Sequence, residues 1–119
     1  MPVPASRPYL AVAVDENGRL WGGHFGIAPV YYIYDCAGHL REQRPNPYGA
    51  RRGQKVTHHD NPRLIVELLA DCGVFIGRRM GEASRRRLAE HLGVIPVLTQ
   101  AQEPQEAVRA WLASQESAP

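Results

Sequence analysis

Apolar residues occur along the chain in short runs, each ended by glycine, proline, asparagine or aspartate. Leu10 to Asp15 (LAVAVD) has the pattern of a buried strand closed by the turn Glu16-Asn17-Gly18. Residues 16–29 form a glycine-rich loop, and Val30 to Asp35 (VYYIYD) is a second strand, rich in β-branched and aromatic residues. After a tight turn at Cys36-Ala37-Gly38, His39 to Asn46 reads as a third, polar strand at a sheet edge. The stretch from Pro45 to Thr57 is rich in proline, glycine and arginine, and residues 48–57 are expected to be among the least ordered.

Asn61-Pro62 opens a helix, with asparagine as N-cap and proline at the first helical position. Leu64, Ile65, Leu68 and Leu69 share one face of it, and Gly73 is expected to end it. Val74 to Gly77 is a fourth strand. Glu82 to Leu92 is a helix with Leu88 and Leu92 facing inward, closed by Gly93. Val94 to Thr99 is a fifth strand, and Pro104 starts a last helix with Val108, Trp111 and Leu112 on its buried side. The second half, strand–helix–strand–helix, makes parallel pairs covered by helices. The first half has no helix and is antiparallel, so the sheet is mixed and the class is an α/β sandwich.

Composition fits one domain. The chain has 119 residues, 44% hydrophobic and 22% charged, enough apolar matter for a core and within the usual size of a single unit. Two cysteines, Cys36 and Cys72, form no Cys-x-x-Cys pair, which excludes a zinc ribbon or a four-cysteine iron–sulfur site within one chain. No segment approaches the roughly 18 apolar residues of a membrane span, and no basic stretch precedes an apolar leader. A cytoplasmic protein with reduced thiols is the expectation.

Net charge is only +2, but it is unevenly placed. Residues 41–63 carry Arg41, Arg44, Arg51, Arg52, Lys55 and Arg63 against Glu42 and Asp60, and residues 78–87 carry five arginines against Glu82. Arginine-rich faces are most often solvated surface. Their flat fork of donors also suits an anion.

The stretch Ala11-Val-Ala-Val-Asp15, followed by His24-Phe25-Gly26-x-Ala28-Pro29-x-Tyr31-x-Ile33-Tyr34-Asp35, is distinctive. So are His58-His59 before a helix, Ala70-Asp71 before a strand, the Met80-Gly81 turn, and Gly93-Val94-Ile95-Pro96-Val97. Together they resemble the dinitrogenase iron–molybdenum cofactor biosynthesis family, the nitrogenase accessory factors and their small stand-alone relatives, over about residues 9–113 of a single domain spanning 1–119. The resemblance implies a ribonuclease-H-like three-layer α/β/α sandwich with strand order 3-2-1-4-5 and strand 2 antiparallel. It implies a carrier or chaperone for an iron–sulfur or iron–molybdenum cofactor precursor, not an enzyme. Its partners would be metallocluster donor and acceptor proteins. One branch of the family binds a molybdenum–copper sulfide cluster, which is the alternative cargo. Where many relatives have a Gly-Gly pair before the turn, this chain has Gly77-Arg78-Arg79-Met80-Gly81.

That topology carries a geometric argument. With strand 1 running upward, the loop bearing His24, the segment with His58 and His59, and Arg78, Arg79 and Met80 all lie at the upper end. There, ligands of open α/β sheets bind outside the carboxyl ends of the strands. The expected site is therefore His24, Phe25, Gly26, His58, His59, Arg78, Arg79 and Met80, with His24, His58 and His59 as metal ligands. Each residue alone has a plainer reading: His24 as a cap or brace of its loop, His58 and His59 as surface residues before the N-cap. Both cysteines fall at the lower end, Cys72 as a small buried hydrophobe. Neutral imidazole suits iron, and the arginines would offset the charge of a sulfide cluster.

Two rival classes are weighed against this. A two-metal nuclease needs a carboxylate cluster, and Asp15 and Asp35 are expected at opposite ends. A nucleic-acid-binding module would use the arginine clusters, yet no binding motif accompanies them. A Gly-x-x-x-Gly phosphate loop at 77–81 lacks the required lysine.

Overall fold

The structure is a computed structural model that describes residue 3, residues 5–49 and residues 62–116. Its elements are β1 (Tyr9–Val14), a 3-10 turn (Phe25–Ile27), β2 (Val30–Tyr34), β3 (Leu40–Pro45), α1 (Pro62–Leu68), β4 (Cys72–Gly77), α2 (Glu82–His91), β5 (Ile95–Leu98) and α3 (Pro104–Glu116). The sheet order is β3-β2-β1-β4-β5. β2 is antiparallel to β1 and β3, while β1–β4 and β4–β5 are parallel. The expected mixed sandwich is therefore the observed one.

The central strands read as unbroken apolar runs because both of their faces are covered. Leu10, Val12, Val14, Val74 and Ile76 point to the layer formed by α3, where they meet Ala107, Val108 and Trp111. Ala11, Ala13, Cys72 and Phe75 point to the opposite layer, against Ile65, Leu69 and Leu88 of the α1 and α2 segments. Two alanines on this second face leave room for rings. Phe25 stacks on Phe75 with centroids 4.9 Å apart and planes at 14°, and lies 5.0 Å from Tyr31. Such offset contacts stabilise beyond simple burial.

Several boundaries differ from the pattern reading, and β1 and β2 each stop one residue before the expected Asp15 and Asp35, whose carboxylates accept N–H groups of the following turns. α1 ends at Leu68, and Gly73 lies inside β4 rather than at the helix end. The Cys72 N–H turns back to the Leu69 carbonyl at 2.9 Å, and Tyr9 pairs with Cys72, so the strand starts two residues early. Leu92 is 38% exposed instead of buried, because it is the C-cap of α2 and only Leu88 reaches the core from that helix. β5 is shortened to four residues at the sheet edge. β3 loses one residue at each end of the expected span. The expectations for the Asn61 cap and for residues 50–57 lie outside the described residues. Among the described residues, no helix is long and apolar enough to cross a membrane.

Candidate functional site

β1 and β4 lie side by side and parallel at the centre of the sheet, so their carboxyl ends mark the upper end. The chain leaving β1 makes a turn in which the Asp15 carboxylate accepts the N–H groups of Asn17 (2.8 Å) and Arg19 (3.0 Å). It then folds back so that Leu20 bridges Val14 and the Trp21 N–H reaches the Ala13 carbonyl at 3.0 Å. This returns residues 21–28 across the upper end toward β4. There His24 forms a parallel bridge with Arg79, and the Phe25 N–H donates to the Arg79 carbonyl at 2.8 Å.

The segment 24–28 is pinned from every side. The Trp21 indole N–H donates to the His24 carbonyl at 3.1 Å. The Tyr31 hydroxyl donates to the Phe25 carbonyl at 2.6 Å. The Asn46 amide donates to the carbonyls of Gly26 (3.2 Å) and Ala28 (2.8 Å). Ile27 N–H closes onto the His24 carbonyl at 3.2 Å. Beneath, the Phe25 ring leaves no space over Gly77, where a Cβ would come within 3.1 Å of Phe25 Cδ2.

His24 itself is exposed, and its imidazole makes no capping hydrogen bond. The reading of His24 as a brace of its loop therefore loses its basis, since the bracing is done by Trp21, Tyr31 and Asn46. Arg79 is exposed next to it, and its guanidinium has no hydrogen-bond or ion-pair partner among the described residues. Arg78 is partly buried and donates from Nε (3.3 Å) and Nη2 (3.1 Å) to the Ala101 carbonyl, tying down the loop between β5 and α3. Phe25, Gly26 and Met80 are buried, and they support the site by packing and backbone rather than by facing solvent. His58 and His59 lie outside the described residues. Among the described residues, no group of three or more His, Cys, Asp or Glu side chains could hold a metal ion.

The lower end holds the cysteines. The exposed Cys36 thiol donates to the Pro8 carbonyl at 3.1 Å, and buried Cys72 contacts Asp71 Oδ1 at 3.4 Å. Burial first, then the neighbouring Asp35, pushes the Cys36 thiol up; burial, then Asp71, pushes Cys72 well above the ordinary thiol range. A raised thiol pKa disfavours the thiolate, so neither cysteine has the surroundings of an activated one. Asp35 and Asp15 sit at opposite ends of β1 and β2, as expected, so they form no carboxylate pair.

Residues 8–114 match the sequence pattern of the family described as "Dinitrogenase iron-molybdenum cofactor". The chain belongs to that family. The match covers the pinned segment, both arginines and all five strands, and it places the protein with iron–molybdenum cofactor biosynthesis. Among solved structures, the NMR structure of a NifB-related protein of the DUF35 family from Thermotoga is similar. It is 19% identical, with a TM-score of 0.58, covering 92% of this chain and 89% of that one, a likeness that speaks for the fold. No curated protein matches.

Sequence reasoning missed Asn46, Tyr31 and Trp21 as determinants of the site. Tyr31 stood in the distinctive stretch without a role. Asn46, flanked by Pro45 and Pro47, reads as a strand-ending loop residue, and nothing in the local pattern marks an asparagine that is only 4% exposed.

Proposed function

We propose that the protein is a non-enzymatic carrier of an anionic metal–sulfide cargo, an iron–sulfur or iron–molybdenum cofactor precursor, which it receives from and passes to cofactor-assembly proteins. The observation that carries this reading is the exposed His24 imidazole, held on a backbone tied by Trp21, Tyr31 and Asn46, beside an exposed Arg79 that has no side-chain partner among the described residues. A neutral imidazole is a good terminal ligand for iron or molybdenum-bound iron. A guanidinium offsets the charge of the sulfides. The N-cap of α2 is Gly81 without a side-chain cap, so the first N–H groups of that helix are not claimed by a capping side chain. They add partial positive charge at the same end. His58 and His59 are the further ligands this reading assigns, with Arg78 as a second source of charge.

Family membership supports the pathway, and the carrier role is the step beyond it. The test is anaerobic reconstitution with an iron–sulfur precursor, followed by metal and sulfide analysis and an absorption spectrum. His24→Ala, and His58→Ala with His59→Ala, should each lower bound metal with the fold intact. Undiminished loading of both variants would contradict the reading.

A further inference from the structure

Asn46 is the one buried polar residue of the described chain, and every polar group it has is engaged. Its Nδ2 faces the carbonyls of Gly26 (3.2 Å) and Ala28 (2.8 Å) and the Tyr31 hydroxyl (3.3 Å). Its Oδ1 accepts the Tyr48 N–H at 3.0 Å, and its own N–H donates to the Pro29 carbonyl at 2.9 Å. The amide orientation is fixed by these neighbours: acceptors on one side require the NH2, a donor on the other requires the oxygen. The Tyr31 hydroxyl spends its proton on the Phe25 carbonyl, so a chain of donors runs from Asn46 through Tyr31 to the residue next to His24.

We infer that Asn46 is the positioning residue of the cargo site, setting the direction of the His24 imidazole by holding the 3-10 turn from below. This rests on the carrier reading above. The physical argument is one of donors. Three consecutive or near-consecutive carbonyls (Phe25, Gly26 and Ala28) point inward away from water, where an unpaired carbonyl is costly. Asn46 and Tyr31 supply their donors. An aspartate of the same shape would turn a carboxylate toward two carbonyls and a hydroxyl oxygen, expelling the turn from its seat. Asn46 directly follows β3, so the chain that leaves the sheet there is tied at Tyr48 and Gly49 to the same amide and backbone. Residues that orient a metal ligand without touching the metal commonly change affinity by about 10–100-fold when replaced.

Asn46→Asp and Tyr31→Phe are to be compared with the native chain and with His24→Ala in two measurements. One is amide hydrogen exchange resolved by residue; the other is binding of tetrathiomolybdate under argon, read from its visible absorption. Asn46→Asp should speed exchange at Phe25 and Ile27 by about tenfold or more while Val12 and Val74 keep native rates, and should weaken tetrathiomolybdate binding by about tenfold. Tyr31→Phe should move both in the same direction by less. If Asn46→Asp does not fold, Tyr31→Phe decides alone. Native exchange at Phe25 and Ile27 in the folded variants would overturn the inference. So would fast exchange with native tetrathiomolybdate binding in a variant, where His24→Ala abolishes that binding. If His24→Ala binds like the native chain, the carrier reading fails. The exchange rates then still decide whether Asn46 holds the turn.

Discussion

The two ends of the sheet are built from the same residue types and use them oppositely. Each has an Asp-x-x-Gly turn with the same hydrogen bonds: Asp15 accepts Asn17 and Arg19, Asp35 accepts Ala37 and His39, and Gly18 and Gly38 have φ of 80° and 86°. Each end also carries arginines. At the lower end two of them, Arg44 and Arg7, are bound by the protein. Arg44, whose backbone pairs with Tyr31 in the upper half of β3, reaches down to grip Asp71 through two bonds of 2.9 and 3.1 Å, Glu42 through two of 2.9 Å, and the Leu68 carbonyl at the end of α1. Arg7 reaches the carbonyls of Leu69 and Cys72. At the upper end Arg78 binds one carbonyl, and Arg79 has no side-chain partner among the described residues. Together Arg44 and Arg7 clamp the end of α1 to the start of β4. An upper end that leaves the Arg79 guanidinium and the His24 imidazole exposed suits the proposed anionic cargo.

Phe25→Ala is the largest expected break in this contrast. It removes a ring that is 5% exposed and stacked on Phe75, at a cost of about 3–4 kcal/mol in denaturant unfolding, and it should free the 3-10 turn as well. Arg44→Met comes next, at about 2 kcal/mol, because it takes charge-assisted bonds from the α1 end; it should leave cargo binding unchanged. Loss of cargo with Arg44→Met at preserved stability would mean the two ends are not separate.

Acid should act chiefly on the lower end. Hydrogen bonds from Arg44 hold Glu42 and Asp71 below the usual carboxylate range, and the backbone N–H of His39 does so for Asp35. A carboxylate lowered by folding adds stability that is complete above its unfolded value of about 4 and disappears as pH falls through the folded one. The gap between native and Arg44→Met should therefore narrow below about pH 4 in urea melts, and a constant gap down to pH 2 would contradict the assignment. Half-exposed carboxylates are screened, so the gap should also shrink with salt. The smallest effect is expected for Leu92→Gln, within about 0.5 kcal/mol, against about 3 kcal/mol for Leu88→Ala in the same helix.

How much of this could be read from the residues depends on how local the cause is. β1 and β4 were legible because strands buried on both faces leave unbroken apolar runs. The turns at Gly18 and Gly38 were legible because Asp and Gly have fixed roles in them. That His24 and Arg79 share one end of the sheet followed from strand order; that their backbones pair did not. Helix ends were less legible: Gly73 looked like a stop, yet the pairing of Cys72 with Tyr9, more than sixty residues away in the chain, claims it for β4. Leu92 looked like core by its spacing, but it falls after the last helical turn. Arg44 looked like one of a basic run, and Asn46 like a loop residue. Their roles come from partners in other elements, which no periodicity records.

The central claim is that cargo binds at the His24 end and not at the cysteine end. It is tested most directly by anaerobic reconstitution of His24→Ala beside the double substitution Cys36→Ser with Cys72→Ala, counting bound iron and sulfide per chain. The account predicts that His24→Ala loses most of the bound metal while the chain without thiols keeps it. Metal retained without His24 and lost without the cysteines would contradict it and move the site to the opposite end of the sheet.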